Sequence, residues 1–345
     1  MNSLERFLAA ASFSPADRIP SAPQVYGLAA VMAGVTIYQY IHCGKVMADC
    51  QWAAQQTLGY DALFVYGGNA VEAEALGCSL AYPSHYYPHI VKPVLESWQD
   101  WGKLKPVPNC QAGIFSVLQQ ACGILRQRAE DNIPVIGIVT GPVTLAGQIL
   151  GIEKLLFTLA DEPEGFLRLL KRTTEASLQF ARLLLRAGAH IIMLNDPSAS
   201  PNLIPKNMYA EMVLPFQQAI LQELRSLKPF LLWLQIVGYT WGILPGMAQA
   251  GADLLTVDYQ VDLAEARTLA PAAALAGNLK PLSFVMDGPE FIAQEIGALC
   301  KKMGHDPGKN GWILSSGCEI PPESRVENIR MLVEKPAGEK PNKPI

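Results

Sequence analysis

What most constrains this chain is a repeated alternation of short apolar runs with longer stretches of helical periodicity. The clearest run is Phe230–Trp241 (FLLWLQIVGYTW). It is unbroken from Phe230 to Leu234, as a strand buried on both faces is. It then places Gln235, breaks at Gly238 and delivers Tyr239 and Trp241. Runs of the same kind are Ala22–Tyr26, Ala62–Tyr66, Pro134–Val139, His190–Leu194, Leu254–Val257, Ala274–Gly277 and Trp312–Leu314. A leading helix before Ile19 ends at Ser14-Pro15, and helical stretches at 33–58, 112–130, 145–160, 163–188, 206–227, 289–303 and 324–333 fill the intervals. The alternation predicts an α/β fold, a single (β/α)8 TIM-type barrel domain over 1–333. An insertion follows the second strand at 67–107, and 334–345 forms a flexible, solvated tail. No GxGxxG turn follows the first strand, which argues against a doubly wound dinucleotide-binding fold.

Composition narrows the partners. A formal net charge of −4 gives no basic footprint for nucleic acid. The cysteines at 43, 50, 78, 110, 122, 300 and 318 are odd in number and form no CxxC pair, which suits reduced thiols in a cytoplasm. Glu5 near the N-terminus makes a poor signal peptide. Gly147, Gly151 and Glu153-Lys154 break Val143–Ala160 into two short helices rather than a membrane span. The expectation is a cytoplasmic protein with neither membrane nor nucleic-acid partner.

In such a barrel the chemistry gathers at the C-terminal ends of the strands. Here those ends supply Asp196, Gln235, Asp258, Asn278 and Cys318. Both aspartates have capping of the following helices as an alternative role, and for Asp196, inside NDPSASP before a helix that starts late, the site role is favoured. Cys318, between Gly317 and a turn of two prolines, is placed to bind metal or react. The insertion adds His85, Tyr86, Tyr87 and His89, among prolines that exclude a helix, so it reads as a lid with aromatic contacts and not as a histidine metal pair. Glu72 and Glu74 stand at i, i+2, so at most one faces a site. Tyr26, Tyr239 and Trp241 offer aromatic walls.

Four segments, VEAEALG, NDPSAS-x-NLIP-x-x-x-Y, GNLKP and GCEIPPES, in this order on an eightfold alternation, resemble the uroporphyrinogen decarboxylase superfamily from about Asp17 to Val333. The likeness is stronger to its corrinoid-dependent methyltransferase branch, typified by enzymes that pass a methyl group from methylcobalamin to coenzyme M. Decarboxylase activity would imply an arginine-rich segment after the first strand and an aspartate after the second. Val25–Ala30 holds no arginine, and no aspartate stands near Gly68. The thiol-methylating enzymes imply a zinc site of His-x-Cys after the fifth strand and Cys after the eighth. Here the first two positions are Gln235 and Val237, and only Cys318 remains.

The resemblance therefore implies cobalamin on a partner corrinoid protein. Zinc is implied only if Cys318 holds it with other residues such as Asp196, Glu72 or His85. The reaction expected is transfer of a methyl group from a small-molecule donor, such as an aromatic methyl ether, to Co(I). Asp196, Gln235 and His85 would be catalytic, Tyr26, Tyr239, Trp241, Asn278 and Asp258 would bind substrate, and Cys318 and Glu72 would be the metal candidates. Three alternatives stand beside it: a methylcobalamin:thiol methyltransferase with an altered zinc site, a non-catalytic paralogue that binds a ligand or corrinoid protein, and a decarboxylase-like lyase. The donor, the direction of transfer and the oligomeric state are not fixed by the sequence.

Overall fold

A computed structural model describes residues 1–107, 113–304, 306 and 308–334. Cys110 and residues 335–345 of the expected tail lie outside the described residues. The strands are β1 (Leu63–Val65), β2 (Ser79–Ala81), β3 (His89–Lys92), β4 (Val135–Thr140), β5 (Ile191–Asn195), β6 (Leu231–Gln235), β7 (Leu254–Thr256), β8 (Ala274–Leu279) and β9 (Trp312–Ser316). Seven of them form one parallel sheet in the order β1-β4-β5-β6-β7-β8-β9, with helices in the crossovers, and the sheet curls into a TIM-type barrel. β2 and β3 pair antiparallel within the insertion.

The first expected strand, Ala22–Tyr26, is corrected. That stretch keeps only an isolated bridge, Ser21 to Leu314. Pro20 and Pro23 lack the N–H that a ladder needs, and Val25 turns back to donate to the Pro23 carbonyl. The segment still closes the ring. The Leu314 N–H donates to Pro20, Ala22 donates to Leu314, and on the other side Asp61 donates to Ser21. The expected helix 33–58 is also corrected. It is divided into Ile37–His42 and Gly44–Leu58, preceded by Gly27–Met32, because Gly34 turns left-handed (φ +68°) and Thr36 starts a new helix through a capping box with Gln39. Val143–Ala160 is two helices, Pro142–Leu150 and Ile152–Asp161, bent by 109° at Gly151. Among the described residues no single helix is long and apolar enough to cross a membrane.

Side chains of alternate strand positions fill the barrel. Ala22, Phe64, Ile136, Ile138, Met193, Trp233, Leu254, Ala276 and Ile313 pack in its interior, while the other faces of the strands meet the helices. The leading helix, Ser3–Ala11, adds Phe7 and Ala10 to this interior cluster. Charge fastens the helix there. Asp61 is fully buried and accepts hydrogen bonds from Arg6, Arg18, Ser3 and the Ser21 N–H. With one end of the barrel plugged, access to its interior is left to the end where the strands finish.

Candidate functional site

Above the apolar interior lies a tier of uncharged polar side chains. The parallel register sets Thr140 beside Asn195 and Asn195 beside Gln235. Gln235 is buried, and its amide is engaged on both sides. Oε1 accepts from Gln24 Nε2 (2.8 Å) and Thr256 Oγ1 (2.9 Å), and Nε2 donates to Asn195 Oδ1 (3.2 Å). Asn195 passes the chain on to Asn69 (2.9 Å), and Trp233 Nε1 donates to Thr256 (2.8 Å). The Tyr26 hydroxyl donates to Gln24 Oε1 (2.8 Å). One neutral network thus crosses the mouth and leaves few of its polar atoms unpaired, which is what makes such a net affordable in a buried setting.

An aromatic ladder rises beside it. Phe64 meets Tyr26 edge-on (5.0 Å between centroids), Tyr26 packs on Tyr66 (4.9 Å), and Tyr66 meets Tyr87 edge-on (5.3 Å). Tyr87 comes from the insertion. Its ring lies against Gly27 and Gly68, where an added Cβ would come within 3.1 Å of it. Its hydroxyl donates to Glu319 Oε1 (3.0 Å), which also accepts from the Gly27 N–H (3.2 Å). Glu319 Oε2 has no hydrogen-bond partner among the described residues. Burial pushes the Glu319 carboxyl up to about 7, partly offset by those two donors. Burial, with Asp258 and Glu319 adding to it, pushes the neighbouring Cys318 thiol up to about 12, so it stays protonated at neutral pH.

The residues expected at the site are distributed as follows. Gln235, Tyr26 and Cys318 share the same end of the barrel. Asp196 is fully buried, but its carboxylate accepts from the N–H and hydroxyl of Thr144 (2.8 and 2.9 Å) and from Gln217 (3.0 Å), at the start of helix Pro142–Leu150. Asp258 fixes loops through the N–H groups of Gly238 (3.0 Å) and Gln260 (3.1 Å). Gly238, at φ +90°, takes a backbone shape that favours glycine. The Asn278 amide ties the carbonyls of Asp258 and Val261. Glu72 is buried, accepts from both donors of Thr140, and is pushed by burial to about 7. His85, Tyr239 and Trp241 are exposed in segments that follow the strands, with Tyr86, Tyr259, Leu282 and, at the end of a short helix, Met286.

Gln24, Asn69, Tyr66 and Glu319 were not singled out by the sequence. The available signals were slight: a polar residue in an otherwise apolar run for Gln24, and an acid directly after Cys318 for Glu319.

The donor set does not fit zinc. Gln235 Oε1 already accepts two hydrogen bonds, and Val237 has no ligating atom. Among the described residues no group of three histidine, cysteine, aspartate or glutamate side chains could hold a metal ion.

Comparison with known proteins follows this geometry. The family model described as uroporphyrinogen decarboxylase matches residues 2–336. The methylcobamide:CoM methyltransferase MtbA of Methanosarcina acetivorans is 28% identical over 335 residues, 96% of each chain. A uroporphyrinogen decarboxylase of Thermus thermophilus is 28% identical over 309 residues, 87% of this chain and 86% of its own. The solved structure of a methyltransferase from Methanosarcina mazei superposes with a TM-score of 0.85 at 23% identity, covering 96% of this chain and 97% of its own, and so shares the fold.

Proposed function

The chain belongs to the uroporphyrinogen decarboxylase family, and from that premise we propose that it is a corrinoid-dependent methyltransferase that moves a methyl group from a small methyl ether to the Co(I) of a corrinoid protein. The observation that carries this reading is the state of Gln235. Where the resemblance implies a thiol-activating zinc ligand, the side chain is neutral and tied to Gln24, Thr256 and Asn195. A thiol substrate would find nothing there to make it a thiolate, and Cys318 is held as a thiol itself.

Taking the methyl group from an ether asks for something else. The methyl–oxygen bond breaks, its electron pair stays on oxygen, and the oxygen takes up a proton because a bare alkoxide or phenolate leaves poorly. The reduced corrinoid contributes the electron pair of the new cobalt–carbon bond and is the methyl acceptor. This reading gives the proton to the Tyr87–Glu319 pair and the walls of the substrate site to Tyr26, Tyr66 and Tyr87. The exposed aromatic and aliphatic rim, Tyr86, Tyr239, Trp241, Tyr259, Leu282 and Met286, suits docking of the corrinoid protein over the mouth. A decarboxylase reading is weaker, since an acidic porphyrin needs cations and the groups brought together here are amides, tyrosines, a thiol and carboxyls.

The test is methyl transfer from a panel of methoxylated arenes to cob(I)alamin, followed by the cobalamin absorbance. Transfer from one or more of them is expected. No reaction across the panel, with transfer from methylcobalamin to thiols instead, rejects the proposal.

A further inference from the structure

The three tyrosines of the ladder differ in what their hydroxyls do. That of Tyr26 is committed to Gln24 (2.8 Å) and that of Tyr87 to Glu319 (3.0 Å). Tyr66 packs between those two rings, and its hydroxyl has no hydrogen-bond partner among the described residues. Strand alternation fixes where it points. Ala62, Phe64 and Tyr66 all join the interior cluster, whereas Val65 between them faces the helices, so Tyr66 stands at the top of the inward face of β1. It is 8% exposed. The Tyr60 hydroxyl is also unpartnered but is sealed in the core, and the Tyr66 hydroxyl is not sealed in this way. A phenol O–H held in so buried a place, without an acceptor, is destabilising unless something else accepts from it.

The groups around it define its chemistry. Burial holds the Tyr66 phenol well above the usual tyrosine range, with Glu319, Glu72 and Cys318 adding to it and the Asn69 N–H opposing. Tyr66 therefore keeps its proton and acts only as a hydrogen-bond donor. Glu319 is the complement. Its carboxyl exchanges a proton near neutrality, and its Oε2 is unpartnered among the described residues. The ring of Tyr87 separates the two, in edge contact with Tyr66 (5.3 Å) and bonded through its hydroxyl to Glu319.

We propose that Tyr66 is a catalytic residue whose O–H donates to the oxygen of the methyl donor and stabilises the charge that gathers there as the methyl group leaves. The methyl–oxygen bond breaks and its electron pair stays on oxygen. Co(I) supplies the pair of the new cobalt–carbon bond, the proton that neutralises the oxygen comes from Glu319, and Tyr66 keeps its own. Sulfur is a weak acceptor, so the same hydroxyl selects a methyl ether over a methyl thioether. The inference rests on the methyl-ether reading above and adds to it a residue of the reaction and a rule of selection.

The experiment compares the full chain with Tyr66→Phe, which keeps the ring and removes only the hydroxyl. Methyl transfer to cob(I)alamin is followed from the methoxyarene panel and from methyl phenyl sulfide, and phenol, as the demethylated leaving group, is titrated by calorimetry. The variant should unfold at the wild-type midpoint or above it, since no bond within the protein is lost. A lower midpoint gives the hydroxyl to the fold and overturns the proposal. On methoxyarenes kcat should fall about a hundredfold, and on the sulfide about threefold or less. Phenol should bind about tenfold more weakly. An equal loss on ether and sulfide overturns the selection by Tyr66. Transfer from ethers within about threefold of wild type overturns its role and leaves the methyl-ether reading standing. No transfer from any methoxyarene, with phenol binding that the variant weakens, upholds Tyr66 as the donor to a bound oxygen and overturns the reaction. No transfer, with phenol binding alike in both proteins or absent from both, overturns both.

Discussion

The two ends of this barrel handle buried charge in opposite ways. At the plugged end, Asp61 is sealed from solvent but meets two arginines, a serine hydroxyl and a backbone N–H, so its charge is fully answered. At the open end Glu72 is buried and Glu319 half-buried, without any cation among the groups that shift them, and both are pushed up to about 7. An acid paired with arginine holds a structure together. An acid left unpaired in a neutral, aromatic setting is poised to exchange a proton near neutrality, at a cost in stability that a purely structural site has no reason to bear. The difference marks which end is scaffold and which end is site.

The largest effect that would break this contrast lies at the plugged end. Asp61→Ala leaves Arg18 without its carboxylate, and Arg6 with Asp17 alone, and should lower unfolding stability by about 3 kcal/mol, read by chemical denaturation. Activity per folded molecule should not change. A loss of activity with stability intact would mean that the scaffold end also serves the reaction.

Glu319→Gln should cost about a hundredfold in kcat on methyl ethers, equivalent to about 2.7 kcal/mol, with no loss of stability. The wild-type rate should fall as the pH rises through about 7, where the carboxyl ionises, and the variant should lose that limb of the profile. An unchanged pH profile would remove Glu319 from the chemistry.

Glu72→Gln sharpens the comparison in the opposite direction. Below about 4.5 the carboxyl is protonated in both folded and unfolded chains. Between about 4.5 and about 7 the unfolded chain has released its proton while the native one keeps it, so stability falls across that window and levels off above it. The glutamine cannot ionise, and Thr140 Oγ1 can accept from its amide while donating to the Asn69 carbonyl. The variant should therefore be more stable than wild type above pH 7, by roughly 1–3 kcal/mol, and equal to it near pH 4. Equal stability at both pH values would show that Glu72 is not an unpaid charge.

The smallest change is Asp17→Asn. Arg6 holds that carboxylate well below the usual range, but the pair is open to solvent, so less than about 1 kcal/mol should be lost at pH 7. A larger loss would extend the scaffold's electrostatics to the surface.

The barrel was legible in the sequence wherever strands are buried on both faces. β4, β5, β6 and β9 are continuous apolar runs because helices cover one side and the packed interior the other. The first strand was misread because two prolines strip its hydrogen-bond donors, something an apolar pattern does not register. Gln235 stood out as a polar end to an apolar run. Its meaning did not, since its partners Gln24 and Asn195 become neighbours only when the ring closes. The partners of Asp196 were hidden for a similar reason: the helix start whose N–H it accepts lies far away in the chain. Glu319 and Tyr87 are separated by more than two hundred residues, and nothing local in either segment announces the other.

The central claim, that the neutral network at the mouth replaces thiol activation with ether demethylation, is tested most directly by single-turnover transfer. Wild-type protein, cob(I)alamin and a methoxyarene would be mixed and methylcobalamin followed by absorbance, with a parallel run of methylcobalamin and a thiol. The account predicts methylcobalamin formation in the first mixture and none of its consumption beyond background in the second. Methylcobalamin consumed by the thiol, with no reaction from the ether, would contradict it.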